Sequence, residues 1–187
     1  MTDTHLMALA VKGDRNAFAL LYERHWKAVY SYAWILGQSV AQAEDVTQES
    51  FLALLRRPQA FDPARAQLRT WLLAVARNQF LQRQRKQRRE ANPADASEPW
   101  IGPGLEERLM SLERAEAVQH ALAALPETQR EALYLFEFEG LSLAESAVIL
   151  GIDTNAVKAR LYRGREQLKR MLDPFLPALS WKNERKI

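Results

Sequence analysis

The stretch EANPADASEPWIGPG, Glu90 to Gly104, is the strongest constraint on how this 187-residue chain can fold. Pro93, Pro99 and Pro103 each remove a backbone donor and fix φ, while Gly102 and Gly104 loosen the chain around them. Neither a helix nor a strand ladder persists through such a segment. The segment reads as a connector between two domains. On both sides apolar residues recur at helical spacing, with almost no period-two alternation. The expectation is an all-α protein of two small helical domains joined by a flexible linker: residues 1–90, a linker over 91–104, a second domain over 105–173, and a tail over 174–187. Trp100 and Ile101 are unusual in a free tether, and either dock onto a surface or are carried along by it.

Charge divides along the same lines. The net charge is +3 and the pI about 9.3. Residues 1–90 carry 14 lysines and arginines against 8 acids, residues 91–118 carry 2 against 6, and residues 119–187 carry 10 against 9. A basic front, an acidic middle and a locally clustered basic tail suit two binding bodies and a connector. Hydrophobic residues make up 48 % of the chain and charged residues 26 %, a globular balance. No apolar run approaches the roughly 18 residues that cross a bilayer, and the N-terminus shows no secretory pattern. The absence of cysteine excludes disulfides and thiolate metal sites, which fits a reducing, cytoplasmic setting. His5, His25 and His120 are too scattered for a histidine zinc site.

The first half predicts helices through Leu9, Phe18, Leu21 and Tyr22, then through Val29, Tyr32, Ala33 and Leu36 to Gly37, a C′ stop. Ser39-x-x-Gln42 is a capping box opening a helix through AQAEDVTQESFLALLRR, with Val46, Phe51, Leu54 and Leu55 on its apolar side. After the loop PQAFDPARA, a long helix covers about Leu68 to Arg89. The second half predicts a helix from about Leu105 to Leu125, another starting near Pro126, and a capping box at Ser142-x-x-Glu145. That last helix ends at Gly151, and Asp153 or Thr154 caps the final one.

Two short helices meeting at a glycine form a helix-turn-helix. In LSLAESAVILGIDTNAVKARLYRGREQLK, small Ala147 permits close approach, and Val157 and Leu161 pack the second helix onto the first. Asn155, Lys158, Ala159, Tyr162 and Arg163 are left wholly or partly outside, flanked by Arg160 and Arg165. Asn pairs with adenine, Arg or Lys with guanine, and basic side chains with phosphates; the alternative is a hairpin with a solvated basic face. The long helix from Arg77 to Arg89 carries six cations, no acid, and amides at Asn78, Gln79, Gln82 and Gln84. That pattern suits duplex or melted DNA, or serves only solubility. Glu44, Asp45 and Glu49 on AEDVTQES are a protein-binding face or a solvated surface. They lack the further ligands a nuclease metal site requires. No catalytic triad and no glycine-rich phosphate loop is present, so neither catalysis nor a cofactor is expected.

The ordered set GDRNAFALLYERH, AEDVTQESFLALLRR, LRTWLLAVARN and LPETQREALYLFEFEGLSLAESAVILGIDTNAVKARLYRGREQLKRML resembles bacterial RNA polymerase sigma factors of the small, ECF type, over roughly residues 6–89 and 105–172. The resemblance implies a sigma region 2 domain first and a sigma region 4 domain second. Asp45, Gln48, Glu49 and Leu52 would dock on the clamp coiled coil of core polymerase. The loop AFDPARAQ, with Phe61, Asp62 and Arg65, and the helix after it, with Asn78, Gln82, Arg83 and Lys86, would read and open the −10 promoter element. The helix from Thr154, with Asn155, Lys158, Ala159, Arg160, Tyr162 and Arg163, would read the −35 element, and the segment around Leu125–Phe138 would face the polymerase flap. An anti-sigma factor is an expected partner, and no membrane span is expected.

The chain departs from the family pattern at Gln82, where Asp is frequent, and at Asn155-Ala156, where Gly-Thr is frequent. Its last residues carry an apolar patch of Phe175, Leu176, Leu179 and Trp181 that covers the second domain or meets a partner. The competing function is a two-domain helix-turn-helix regulator that binds DNA without being a polymerase subunit.

Overall fold

The computed structural model describes residues 1–90 and 112–173, with side chains described for 1–86 and 117–173. The linker, with Trp100 and Ile101, and the tail, with its apolar patch, lie outside the described residues. Among the described residues there is no strand.

Five of the helices start where a side chain, from Thr2, Asp14, Ser39, Ser142 or Asp153, satisfies orphan amides. Thr2 accepts from the His5 amide to open α1 (Asp3–Val11), which buries Leu6 and Met7. Gly13, at φ 95°, turns the chain, and the Asp14 carboxylate accepts from the amides of Asn16 and Ala17 to start α2 (Arg15–Gly37). Ser39 caps α3 (Val40–Arg56), and a 3-10 turn at Pro58–Ala60 leads through the loop to α4 (Leu68–Glu90). These four helices close around Leu21, Val29, Val46, Leu54, Leu72 and Phe80, each almost completely buried. Burial of one such side chain contributes about 2 kcal/mol.

The end of α2 departs from the spacing-based expectation. Gln38, not Gly37, takes the left-handed conformation, at φ 50°. Gly37 stays helical, and glycine suits it for a different reason: a Cβ there would lie 2.6 Å from Gln42 Oε1 and 2.9 Å from Phe80 Cε2. Only half of the first capping box forms. Ser39 Oγ accepts from the Gln42 amide, while the Gln42 side chain lies over Gly37.

The second body begins at α5 (Leu112–Ala123). Pro126 precedes α6 (Glu127–Leu133), which widens into a π-helical turn over Tyr134–Phe138. The capping box at Ser142 is complete: Ser142 Oγ accepts from the Glu145 amide while Glu145 accepts from the Ser142 amide. It opens α7 (Leu143–Leu150), which ends at left-handed Gly151. Asp153 then caps α8 (Thr154–Leu172) through the amides of Asn155 and Ala156 at 2.8 and 2.9 Å. Val157, Leu161, Gly164, Leu168 and Leu172 form the buried stripe of α8. Gly164 is small because a Cβ there would meet Leu133 Cδ1 at 2.7 Å.

The two bodies are not held apart. Helices α2 and α4 pack directly on α6, the π-helical turn and α7. Tyr32 stacks on Tyr134 with ring centroids 6.0 Å apart. A shared set of buried polar contacts joins the two bodies, and the cationic outer faces of α4 and α8 take no part in it.

Candidate nucleic-acid interface

Helix α8 positions its polar residues by periodicity. With Val157, Leu161 and Gly164 turned inward, Thr154, Asn155, Lys158, Ala159, Tyr162 and Arg163 are all exposed along its N-terminal half. Tyr162 keeps 68 % of its surface accessible. No ion pair among the described residues engages Lys158 or Arg163. Free cations beside an amide and a phenol on a rigid, capped helix suit phosphate and base-edge contact in a major groove. Arg160 differs: it is half-buried on the rim, and its Nη1 lacks a hydrogen-bond partner. Arg165 is turned away, pairing with Glu137 at 2.5 Å and lying 5.6 Å from the Phe136 ring centroid.

Helix α4 offers a second face. Asn78, Gln82 and Lys86 follow one another at i, i+4 and i+8 and are all exposed. Arg83 is half-buried and donates to Asp45 Oδ2 at 2.7 Å. This pair joins the −10 and polymerase-docking sets that the sequence kept separate. In the loop before α4, Asp62 and Arg65 are exposed, and Asp62 accepts from the Ala64 amide. Phe61 is buried, edge-on to Trp71 at 6.0 Å, and Trp71 Nε1 donates to the Ala60 carbonyl. In this conformation Phe61 anchors the loop.

On α3, Asp45 and Gln48 are exposed, Leu52 is half-buried, and half-buried Glu49 pairs with Arg56 at 3.5 Å. Leu55, expected in the core, is 45 % exposed and continues this face at i+3 from Leu52. The acidic face of α3 thus carries an apolar edge at Leu52 and Leu55. The signal was the spacing Asp45, Gln48, Leu52, Leu55, which also places the leucines on the acidic side.

Sequence reasoning missed the charged contacts between the two bodies. Glu131 of α6 is 2 % exposed, and its Oε1 accepts from Tyr32 Oη at 2.7 Å and from Arg77 Nε at 2.6 Å. Beside it, buried Arg130 donates to the carbonyls of Ile35, Ala123 and Leu125. Arg69 pairs with Glu139, and Thr70 donates to Glu145. Burial, then the Glu131 charge, pushes the Tyr32 phenol well above its usual range. Tyr134 is raised likewise, by burial and then by Glu139. Burial lowers Arg130, whereas at Arg77 the opposing burial effect is outweighed by Glu131 and the value rises. Glu145 is lowered by its hydrogen bonds from Ser142, with a lesser contribution from Thr70.

Comparison with known proteins places both domains in one family. The Sigma-70 region 2 profile matches residues 21–90, and the Sigma-70 region 4 profile matches residues 115–168. The chain is 34 % identical over 171 residues to the ECF RNA polymerase sigma factor SigM of Mycobacterium tuberculosis, covering 91 % of this chain and 85 % of the relative. It is 31 % identical over 172 residues to the ECF RNA polymerase sigma factor SigW of Bacillus subtilis, covering 86 % and 91 %. Among solved structures it resembles the sigma factor RpoE in complex with the anti-sigma factor NepR from Bartonella quintana, with TM-score 0.71 and 26 % identity over 83 % of this chain and 96 % of that one. It also resembles CnrH in complex with the cytosolic domain of CnrY, with TM-score 0.64 and 28 % identity over 92 % and 97 %.

Proposed function

We propose that this chain, which belongs to the ECF RNA polymerase sigma factors, directs core polymerase to promoters by reading a −35 element with α8 and opening a −10 element with α4 and its preceding loop. It does so by binding, without catalysis or a cofactor, in the cytoplasm. No helix among the described residues is long and apolar enough to cross a membrane. Residues 1–90 form the −10 and polymerase-docking domain, 91–104 the linker, 105–173 the −35 domain, and 174–187 the tail. The observation that carries the reading is the exposed set Asn155, Lys158, Tyr162 and Arg163, which makes no ion pair among the described residues, on a helix capped by Asp153 after left-handed Gly151.

The division of labour follows from the faces described. Thr154, Asn155, Lys158, Ala159, Arg160, Tyr162 and Arg163 contact the −35 duplex. Asn78, Gln82, Arg83 and Lys86, with Asp62, Arg65 and the loop that Phe61 anchors, meet the −10 strand. Unstacking a base costs a few kcal/mol, which these contacts offset. Asp45, Gln48, Glu49 and Leu52 face the polymerase clamp, and the α6 segment faces the flap. The complex of the sigma factor RpoE with the anti-sigma factor NepR among the structural neighbours supports an anti-sigma factor as a partner.

Transcription from a promoter library with purified core polymerase tests this. Initiation at promoters bearing both elements is expected, and Asp45→Lys should abolish core binding while sparing affinity for the −35 duplex. DNA binding without core binding or initiation would instead identify an independent regulator.

A further inference from the structure

The contacts between the two bodies have an unusual chemistry. Three elements converge on one oxygen: Tyr32 of α2 and Arg77 of α4 both donate to Oε1 of Glu131 in α6. The adjacent residue, Arg130, sends a buried guanidinium the same way, to the carbonyl of Ile35 near the end of α2 at 2.9 Å. Its Nη1 also holds the carbonyls of Ala123 and Leu125, and Gln38 of α2 donates to the same Ala123 oxygen at 3.0 Å. Arg69–Glu139 and Thr70–Glu145 extend the row along α4. One acid and one base, consecutive on a short helix, are thus both buried against the first domain.

A permanent domain core would be apolar here, because a buried ion pair returns little more than its desolvation cost. A charged interface behaves differently when it parts. Its charged groups hydrate readily when it opens, and the stacked Tyr32 and Tyr134 rings are the apolar surface that then loses cover. While closed, its directional hydrogen bonds fix one register. Such an interface suits a contact that is made and broken.

The face consumed is specific. Arg130, Glu131 and Tyr134 are all buried and each contacts the first domain, and they lie in the segment assigned above to the polymerase flap. The exposed face of α8 and the Asn78, Gln82 and Lys86 face of α4 remain outside. Resting on the sigma-factor reading, we infer that Glu131 and Arg130 form a latch that holds the free protein shut against Tyr32, Arg77 and the Ile35 carbonyl. The latch must release before the second domain can engage polymerase. The shut form retains its −35 reading face, so the block falls on polymerase and not on DNA.

The chain lacks cysteine, so pairs of introduced thiols label it uniquely. Fluorophores on Glu23→Cys and Lys169→Cys in the full chain report the distance between the two bodies. One short distance is expected for the parent protein. Arg77→Glu, which sets two carboxylates against each other, should lengthen it and raise core-polymerase affinity several-fold. Adding Glu131→Arg to Arg77→Glu should restore the short distance, which a folding defect would not. In a second arm, Thr70→Cys and Glu145→Cys joined by a short reducible crosslinker should abolish core binding, spare binding to −35 duplex, and recover core binding on reduction. An unchanged distance in Arg77→Glu overturns the latch, as does a crosslinked protein that binds core as well as the reduced one. If neither the uncrosslinked parent nor the opened Arg77→Glu variant binds core, the sigma-factor reading falls and takes the polymerase block with it. The distance measurement then still decides whether Arg77 and Glu131 hold the two bodies together.

Discussion

Arg163 and Arg130 lie in the same small domain and carry the same guanidinium, yet the fold uses them in opposite ways. Arg163 is exposed on α8 and makes no ion pair among the described residues. Arg130 is buried on α6, and three backbone carbonyls take its donors. One charge is available to a ligand, and the other holds the second domain to itself and to the first. The same contrast separates Lys86 from Arg77 on α4. Positive charge on a helix is therefore evidence of DNA binding only after packing has shown which cations are already engaged.

The largest test of that contrast is Arg130→Ala. Three carbonyls would lose a charged donor, and buried hydrogen bonds to charged groups are worth about 1.5–3 kcal/mol each. Because the losses are not additive, a drop of about 3 kcal/mol in urea-unfolding stability is expected. Next is Gly164→Ala, one residue from Arg163 but on the inward face. Its Cβ would press on Leu133, which is 2 % exposed. Overpacking of about 1–3 kcal/mol outweighs the helix-propensity gain of up to about 1 kcal/mol, giving a net loss of about 1–2 kcal/mol in the same assay. Arg163→Ala should leave stability within about 0.5 kcal/mol but weaken −35 duplex binding. A binding titration across salt concentrations should show a slope shallower by about one. If Arg163→Ala unfolded the domain, or Arg130→Ala only weakened DNA binding, the contrast would be reversed.

The smallest effect is the pH dependence of the contact between the two bodies. Folded Tyr32 keeps its proton where a free phenol, of pKa about 10, would lose it. The folded state then binds more protons than the unfolded one, so this contribution is complete below about pH 10 and is lost as pH rises through the raised value. Tyr134 acts in the same direction. A titration of the inter-body distance should be flat through neutrality and lengthen only in this alkaline range, and Tyr32→Phe should shift that dependence.

The local grammar of the fold was legible in the sequence. Ser142 with Glu145, Gly151 and Asp153 act within a few residues of one another, so their spacing alone specifies the helix-turn-helix. The exposed set on α8 followed from the same periodicity. What was not legible depends on partners distant in sequence. Gly37 is explained by Phe80, and the roles of Tyr32 and Arg77 by Glu131, which lies 99 and 54 residues away from them. Arg83 looked free for DNA until α3 brought Asp45 to it. Leu55 looked like core because its neighbour Leu54 is core, yet one residue along a helix turns a side chain by about 100° and leaves it in solvent.

The most direct measurement is site-specific photocrosslinking from Lys158 and from Gln82 in a complex of this chain, core polymerase and promoter DNA. Lys158 is expected to crosslink to the upstream −35 duplex and Gln82 to the −10 strand, with the Gln82 crosslink requiring core. Crosslinks from both positions to a single stretch of DNA, or a Gln82 crosslink that forms equally well without polymerase, would contradict the account.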